Sequence, residues 1–389
     1  MTYDFETLVP AIDEVSPMRR RLDIMGYPKD SICYGVAEMK FPLFPDMARA
    51  AAGMVERGHL GYSGGYDEYY AAVARWMKRR HGWDILPEEI VQTFGVVQAI
   101  GICIRAYTDT GDGVLIQSPV YNPFAGQVTL NGRKAVENRL YFENGKYHID
   151  FDDFEKKAAD KNTKLFILCS PHNPVGRVWT TEELQKMSDI CLRHGVLVVS
   201  DEIHFDIVYG GVHTVYATIS PEAAENCVVC TAPSKTFNVP GLLTSNIIIK
   251  NKALREKFRK VMQLCCEFFN PIGVEACRAA YERGDQWVDE MREYIGENMQ
   301  LLSRQAAERL PGAVVTQAEG TYLAWVDLSC LNMTDEKLAE FLRNKAQICV
   351  NLGYIYGDGG SGHIRINVGC PRRYVEEAVS RLCRAVEKL

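Results

Sequence analysis

The chain has 389 residues, 47% of them apolar, and a formal net charge of −6 at pH 7. It exceeds the length of a typical single domain and can bury large cores, so we expect two lobes. General nucleic-acid binders usually carry a basic surface, so the acidic balance argues against that class of function.

The cysteine content and the first residues of the chain both indicate the cellular compartment of the protein. Thirteen cysteines are scattered along the chain without a repeating pattern. An odd, scattered set is typical of a reducing compartment rather than of a disulfide-bonded secreted protein. The opening segment MTYDFETLVP lacks the basic and apolar regions of a signal peptide, and no run of 18 apolar residues predicts a membrane span. We therefore expect a cytoplasmic protein.

Between about residues 88 and 250, short apolar runs alternate with helical patterns. The runs are continuously apolar, which is typical of strands covered on both faces in a mainly parallel sheet. The predicted strands are GVLIQSP (113–119), KLFILCSP (164–171), VLVVSDE (196–202), CVVCTAPS (227–234) and SNIIIK (245–250). The pattern predicts an α/β fold for this part of the chain.

One helix between these strands has clear signals at both ends. Thr180 and Glu183 have the spacing of a capping box. Leu184 and Met187 begin an apolar stripe, and Gly195 is a helix stop. The next strand follows at once, which predicts a βαβ unit with a right-handed crossover.

The last hundred residues have a different pattern. A long amphipathic helix begins near Trp287, the segment TYLAWVDL reads as a strand, and Thr334 opens another helix. This order predicts a smaller α+β lobe. We place the boundary near residue 285, with a large domain at 48–284 and a smaller unit formed by 1–47 and 285–389.

Polar side chains follow three of the predicted strands. Asn173, Asp201 and Lys235 stand where the apolar runs end. The carboxyl ends of strands in an open α/β sheet are where ligands bind. A lysine in partly apolar surroundings is a better nucleophile near neutral pH and can form an imine with an aldehyde such as pyridoxal phosphate (PLP). Asp201 could then pair with the pyridine nitrogen, and Asn173 could donate to the phenolic oxygen.

Other residues would complete such a site. Gly95 precedes a helical pattern, so the free N–H groups of Val96 and Val97 could hold a phosphate. Tyr121 could stack on the cofactor ring, and Arg365 could bind a substrate carboxylate with its planar fork. Each residue alone has a more common structural explanation, such as a surface lysine or a turn asparagine. The prediction therefore depends on their coincidence.

A zinc site is a competing interpretation of one strand. Cys227 and Cys230 have the CxxC spacing of a zinc ligand pair. In a strand, positions i and i+3 face opposite sides of the sheet, and no second pair stands in a suitable place. We predict a core strand here and no metal site.

Several motifs together resemble a known family. The segments LFILCSPHNPVGRVWTTEEL, VVSDEIHFDIVY, APSKTFN and EGTYLAW resemble those of the fold-type I PLP enzymes, in the aspartate aminotransferase superfamily. These segments are most similar to those of the MalY/PatB branch of cystathionine β-lyases. The resemblance implies a large domain with a mainly parallel seven-stranded sheet between helices, plus a smaller α+β domain.

The same resemblance implies a role for each candidate residue. Lys235 would bond to PLP, Asp201 would hold the pyridine nitrogen, and Asn173 would contact the phenolic oxygen. Tyr121 would stack on the ring, and Lys235 and Tyr121 are the expected catalytic residues. The other implied cofactor contacts are Gly95, Val96, Val97, His204, Ser234 and Tyr62. Tyr62 would reach the neighbouring subunit of a homodimer. The implied substrate contacts are Arg365, Asn173 and Tyr62.

The implied reaction is cleavage of cystathionine or a related cysteine S-conjugate to a thiol, pyruvate and ammonia. His204 and Leu243 stand where many aminotransferases of the superfamily have tyrosine and arginine, which favours a lyase. Two alternatives to the lyase stay open: an aminotransferase, and a regulatory PLP-binding protein with little turnover. Glu38 and Lys40 replace an aspartate pair of the branch, so the preferred sulfur substrate stays open.

Overall fold

A computed structural model describes residues 1–9, 22–62, 66–265 and 268–389 of the chain. None of the helices in these residues combines the length and the apolar character that a membrane span requires. Short 3₁₀ turns connect several elements, and a π-helical turn, Leu342–Ala346, continues one of the helices.

Helices and strands alternate along much of the chain. The strands are β1 (Ile32–Cys33), β2 (Ile90–Thr93), β3 (Gly113–Ile116), β4 (Lys134–Glu137), β5 (Tyr141–Glu143), β6 (Lys146–His148), β7 (Thr163–Cys169), β8 (Leu197–Asp201), β9 (Cys227–Thr231), β10 (Ser245–Ile248), β11 (Val314–Val315), β12 (Leu323–Asp327), β13 (Ile348–Cys349), β14 (Asn351–Leu352) and β15 (His363–Asn367). The helices are α1 (Pro45–Glu56), α2 (Asp67–His81), α3 (Val96–Tyr107), α4 (Pro123–Leu130), α5 (Phe151–Ala158), α6 (Thr181–His194), α7 (Pro221–Glu225), α8 (Pro233–Thr236), α9 (Lys252–Met262), α10 (Pro271–Arg283), α11 (Asp285–Arg309), α12 (Asp335–Phe341) and α13 (Arg372–Val386).

Seven strands form the central sheet in the order β2-β10-β9-β8-β7-β3-β4. Pairing is parallel from β9 through β8, β7 and β3 to β4, while β10 runs antiparallel to both of its neighbours. The predicted α/β fold with a mainly parallel seven-stranded sheet is confirmed. All five strands predicted from apolar runs are present, but each ends before the predicted limit. Pro119 and Pro171 cannot extend a strand ladder, because proline has no N–H to donate.

The central sheet is buried on both faces. Alternate residues of β9 belong to different apolar cores: Cys227 and Val229 to one, Val228 and Cys230 to the other. Both faces of this strand therefore remove apolar surface from water, which explains its unbroken run of apolar residues. The same alternation places Cys227 and Cys230 on opposite sides of the sheet, as the sequence predicted.

Helix α6 has the predicted capping box. The Thr180 side chain accepts a hydrogen bond from the Glu183 N–H at 3.2 Å, and the Glu183 carboxylate accepts one from the Thr180 N–H at 2.8 Å. Gly195 follows the helix with φ +67°, the left-handed conformation that glycine adopts without strain. The helix and its parallel neighbours β7 and β8 form the predicted βαβ unit.

A second sheet lies in the C-terminal part of the chain. Its four strands have the order β11-β12-β15-β14, and all their pairings are antiparallel. Helices α11 and α13 pack against each other beside it, so the α+β pattern expected for the last hundred residues is present. All seven strands of the central sheet lie before residue 285, where α11 begins. The division into 48–284, and 1–47 with 285–389, stays a prediction.

The N-terminal arm contacts both parts of the molecule. Its strand β1 pairs in parallel with β13 of the C-terminal sheet region. Asn367 of β15 donates to the carbonyls of Val36 and Glu38, both at 2.6 Å. Asn238, which follows α8 beside the central sheet, accepts from the Met39 N–H at 2.7 Å. The arm thus bridges the two sheets at one place.

The capping box of α6 gives a prediction about stability. Thr180→Ala removes the oxygen that accepts the Glu183 N–H, so the free energy of unfolding is expected to fall by about 1 kcal/mol. Urea unfolding followed by circular dichroism measures the change. Thr180→Ser keeps the oxygen and is the matched control, expected to stay close to wild type. Equal losses in the two variants would contradict the contribution of the cap.

Candidate active site

The ends of three adjacent strands bring the predicted polar residues together. Strands β7, β8 and β9 are neighbours in the sheet, and Asn173, Asp201 and Lys235 follow or end them in that order. All three line one cavity of about 280 Å³. The other predicted residues that line it are Gly95, Val96, Val97, Tyr121, His204 and Ser234. The sheet therefore collects residues that are far apart in the sequence at its carboxyl edge.

Lys235 is held in an enclosed position with its amine in the cavity. The Nζ atom donates a hydrogen bond to the Ala37 carbonyl of the N-terminal arm at 2.6 Å. The pKa of this amine is lowered to about 8, first by burial and then by the positive charge of Arg365. A minority of the amine, but far more than in an ordinary lysine, is consequently neutral near physiological pH. The neutral form is the one that attacks a carbonyl carbon.

Asp201 is a buried carboxyl group with few partners. Its side chain is 4% exposed, and the Ile203 N–H donates to Oδ1 at 3.1 Å. Burial raises its pKa to about 7, and no described residue forms an ion pair with it. A carboxyl group in this state readily shares a proton with a basic nitrogen brought beside it.

Arg365 is a buried cation beside the same site. It is 3% exposed and lines an adjoining cavity of about 670 Å³, which also contains Tyr121 and Lys235. One guanidinium nitrogen donates to Asn173 Oδ1 at 3.0 Å, and another donates to the Gly35 carbonyl at 2.9 Å. Its Nε has no partner among the described residues.

No carboxylate of the described residues forms an ion pair with Arg365, and burial lowers its pKa. A buried guanidinium without a counter-ion is costly, so an anionic ligand in the cavity would offset part of that cost. The planar fork of arginine matches a carboxylate in particular.

Helix α3 begins in the wall of the smaller cavity. Its N-cap residue, Gly95, has φ +143° and offers no side chain to cap the helix. The first N–H groups of an α-helix have no partner within the helix, and Val96 and Val97 of this turn line the cavity beside Ser234. These groups can hold a phosphate dianion. Glycine is required here because its backbone conformation is essentially closed to other residues.

Not every polar residue at the strand ends belongs to this site. Glu202 contacts His213 at 2.7 Å and accepts a hydrogen bond from the Tyr216 N–H at 2.9 Å, and it is not among the residues that line either cavity. His172 bonds to the Pro119 carbonyl at 2.9 Å, and burial lowers its pKa to about 4. Both residues satisfy buried polar groups of the fold. Within the described residues, no cluster of histidine, cysteine or acidic side chains could hold a metal ion.

The resemblance directed attention to Glu38 and Lys40 of the N-terminal arm, but the sequence did not indicate that a backbone carbonyl of the arm contacts Lys235. The Ala37 carbonyl accepts hydrogen bonds from Lys235 and from the Tyr322 hydroxyl, the latter at 2.9 Å. Tyr322 also contacts the ring of His204, with 5.6 Å between centroids. Backbone acceptors leave no pattern in a sequence. Tyr322 stands in the motif EGTYLAW, but nothing in that motif assigns it a contact.

Glu38 and Lys40, which distinguish the arm from the branch pattern, take different positions. Glu38 lines the larger cavity. Lys40 is buried, and its amine lies 5.9 Å from the ring centroid of Tyr34 and 5.7 Å from that of Tyr374. Of the two substitutions, the structure therefore places only the acidic one in the wall of the site.

Tyr62 is the one predicted site residue that lines neither cavity. It is 88% exposed, and its ring lies 4.7 Å from that of Phe268. Its predicted role concerns a neighbouring subunit, so its place in this chain neither supports nor opposes that role.

Comparison with known proteins shows the family to which this chain belongs. The chain belongs to the aminotransferase class I and II family, whose sequence model matches residues 31–382. It is 39% identical to cystathionine beta-lyase PatB of Bacillus subtilis, covering 92% of this chain and 93% of that protein. It is 32% identical to protein MalY of Escherichia coli, covering 92% of each chain.

A solved structure is similar over the entire length. The crystal structure of cystalysin from Treponema denticola, which contains a pyridoxal 5'-phosphate cofactor, matches with a TM-score of 0.96 and 38% identity, covering 100% of both chains.

The lowered pKa of Lys235 gives a prediction for the cofactor-free protein. The neutral amine reacts with acetic anhydride, and the folded amine loses its proton near pH 8 rather than near 10.4, the usual value for lysine. The rate of acetylation of Lys235, measured by competitive labelling and peptide mass spectrometry, is therefore expected to rise through a midpoint near pH 8. Free Nα-acetyl-lysine in the same tube is the control. A midpoint above pH 10 for Lys235 would contradict the enclosed geometry.

Proposed function

We propose that this chain is a PLP-dependent carbon–sulfur β-lyase that cleaves cystathionine or a related cysteine S-conjugate to a thiol, pyruvate and ammonia. The observation that carries the proposal is the enclosed Lys235 amine, which shares a cavity with the buried acid Asp201 and adjoins the buried Arg365. Bound PLP would supply an electron sink that stabilises negative charge at the Cα atom of the substrate.

The residues of the smaller cavity fit this cofactor. Asp201 has a buried carboxyl group with room for a proton donor, which suits the pyridine nitrogen. The uncapped start of α3, with Ser234, suits the phosphate. Asn173 and Tyr121 line the space between them, where Asn173 would contact the phenolic oxygen and Tyr121 would stack on the ring. His204 would contact the cofactor from the side of Asp201.

The chain's own residues account for binding and proton transfer. Arg365 would hold the substrate α-carboxylate by exchanging its bond to the Gly35 carbonyl for bonds to the ligand. The Lys235 amine, with a pKa near the working pH, is suited to take the proton from Cα and return it later. Burial and the Asp201 charge raise the pKa of Tyr121, so its phenol stays protonated and can donate a hydrogen bond near the reacting atoms.

Lyase activity is favoured over transamination by two kinds of observation. PatB, 39% identical, is named a cystathionine beta-lyase. In this chain, Leu243 lines the cofactor cavity at the position where many aminotransferases of the superfamily carry a phosphate-binding arginine. The larger cavity, with Glu38 and Arg365 in its wall, has room for the sulfur-linked part of a substrate. A regulatory protein with little turnover would not need this complete set of groups.

The protein is also proposed to be a cytoplasmic homodimer with active sites at the subunit interface. Tyr62 and Leu243 have large side chains that are 88% and 54% exposed, and Leu243 lines the cofactor cavity. A partner subunit over this surface would cover them and would let its Tyr62 reach the cofactor phosphate and substrate of the opposite site. The twelve cysteines among the described residues are all thiols, which suits a reducing compartment.

A substrate panel tests the proposed reaction. Purified protein with PLP is incubated with cystathionine, cystine, cysteine and S-alkyl cysteines, and pyruvate and thiol are measured. We expect equal amounts of both products without any added keto acid. Lys235→Ala is expected to lower turnover by at least about 10³-fold, because it removes both the cofactor link and the base. Substrates with an amidated α-carboxylate are expected to react poorly because Arg365 has no anion to bind.

Each rival function has its own result in this assay. A strict requirement for a keto acid, consumed in equal amount with the amino acid, would contradict the lyase and favour an aminotransferase. Negligible turnover of every amino acid by a protein that retains PLP would favour a regulatory role. Unchanged turnover in Lys235→Ala would overturn the site itself.

The shared site of the proposed dimer can be tested by mixing two inactive variants. Lys235→Ala and Tyr62→Ala are each expected to have little activity. After the subunits exchange, a mixed dimer has one site with Lys235 from one chain and Tyr62 from the other. A 1:1 mixture should recover about a quarter of the wild-type activity, because half of the dimers then carry one intact site of two. Enzyme activity is measured during subunit exchange, and sedimentation velocity shows whether the protein is a dimer. A protein that sediments as a monomer, or no recovery despite exchange, would contradict the shared site.

A further inference from the structure

Two cysteines face each other where the N-terminal arm meets the C-terminal part of the chain. Strands β1 and β13 pair in parallel, and Cys33 lies directly opposite Cys349 in the register. Neighbouring strands are about 4.8 Å apart, and opposite residues project from the same face of a sheet. This spacing falls within the separation of about 4.4–6.8 Å that the two Cα atoms of a disulfide require.

Both thiols can be reached from the substrate side. Cys33 and Cys349 are 9% and 8% exposed, and both line the larger cavity, which also contains Arg365 and Lys235. A small molecule that enters this cavity therefore meets both sulfur atoms.

Another cysteine pair in the chain provides a contrast. Cys103 and Cys230 also share a hydrogen bond, but both are 0% exposed and lie in the core beneath the central sheet. The Cys103–Cys230 pair thus combines proximity with complete burial, whereas Cys33 and Cys349 combine proximity with access from a cavity.

The surroundings of Cys33 favour its thiolate form. The Cys349 thiol and the N–H groups of Gly35 and Val36 form hydrogen bonds to its sulfur, and the buried charge of Lys40 lies nearby. Together these groups lower the pKa of Cys33 to about 6, although burial acts against them. A thiolate is the form that attacks a disulfide, and cations and N–H donors typically surround reactive cysteines.

We propose that Cys33 and Cys349 form a redox-active dithiol in the wall of the substrate cavity, which low-molecular-weight disulfides oxidise to a bond between arm and C-terminal lobe. The Cys33 thiolate attacks the disulfide RSSR, forms a mixed disulfide and releases one RS⁻. The Cys349 thiolate then attacks the Cys33 sulfur, closes the protein disulfide and releases the second RS⁻. Two electrons pass from the protein to RSSR, and the two thiol protons go to the released RS⁻ ions.

The bond would act on the arm segment that covers the active site. Gly35 and Ala37 follow Cys33 closely, and their carbonyls accept hydrogen bonds from Arg365 and Lys235. A covalent link at Cys33 holds these carbonyls in place, so a substrate carboxylate competes with Gly35 for Arg365 at a disadvantage. Oxidation is therefore expected to slow turnover, and this consequence rests on the proposed function.

Disulfide mapping tests the dithiol without using the enzyme's reaction. The PLP-loaded protein is treated with 2-hydroxyethyl disulfide, a small neutral oxidant, and digested under conditions that block thiol exchange. Mass spectrometry is expected to find Cys33 joined to Cys349. The exposed residues Cys265 and Cys330 should carry only the reagent, and Cys103 should stay a thiol.

Single substitutions separate the two steps. Cys349→Ser removes the resolving thiol, so the reagent is expected to accumulate on Cys33 as a mixed disulfide. Cys33→Ser removes the attacking thiolate. The reagent is therefore expected to modify Cys349 in this variant more slowly than it modifies Cys33 in Cys349→Ser. Absence of the Cys33–Cys349 bond in wild type, or labelling of Cys33 no faster than that of buried Cys103, would overturn the dithiol.

A second measurement tests the consequence for the site. Turnover of the best S-conjugate is compared before oxidation, after it, and after reduction with dithiothreitol. The oxidised wild type is expected to lose turnover and to regain it on reduction. In Cys33→Ser the ratio of treated to untreated turnover is expected to stay near one over the same treatment time, because Cys349 reacts slowly in that variant. Unchanged turnover in a fully oxidised wild type would overturn the proposed control. If the reduced protein cleaves no S-conjugate, the proposed function fails, and the mapping still decides the dithiol.

Discussion

The structure encloses two cations, Lys235 and Arg365, at the carboxyl edge of the central sheet without pairing either with a carboxylate of the described residues. Desolvating charges in this way is unfavourable unless a function or a ligand offsets the cost. Burial lowers the pKa of the lysine, so more of its amine is in the neutral, nucleophilic form near physiological pH than in an ordinary lysine. The arginine, which has no counter-ion among the described residues, stays available for an anion. The proposed chemistry depends on these two properties.

The surrounding fold explains how the two cations are held. The central sheet provides Lys235 and the acid Asp201 from neighbouring strand ends, whereas Arg365 comes from β15 of the second sheet. The arm segment from Gly35 to Ala37 lies between them and satisfies both cations with backbone carbonyls. Carbonyl oxygens carry no net charge, so they stabilise the cations less than a carboxylate would. A ligand with a carboxylate can therefore displace them.

The arm also carries two residues, Glu38 and Lys40, that depart from the pattern of the branch that this chain resembles. Lys40 is buried against aromatic rings, and its charge helps to lower the pKa of Cys33. Glu38 faces that cavity. Differences in this short segment can thus change substrate preference and thiol reactivity while the cofactor site stays the same.

Local patterns in the sequence determined the strands of the central sheet, the capped helix α6 and the candidates Asn173, Asp201 and Lys235. The strands and the helix follow from hydrophobic periodicity, which a short stretch of neighbouring residues shows. The three candidates follow from polar residues at the ends of apolar runs, because ligands bind at the carboxyl ends of parallel strands. Only the tertiary structure decided that Arg365 bonds to Asn173 and to Gly35, separated by 192 and 330 residues, and that Cys33 faces Cys349. Such contacts depend on how the arm packs across both sheets, and backbone acceptors and cross-strand neighbours leave no periodic signal in the sequence.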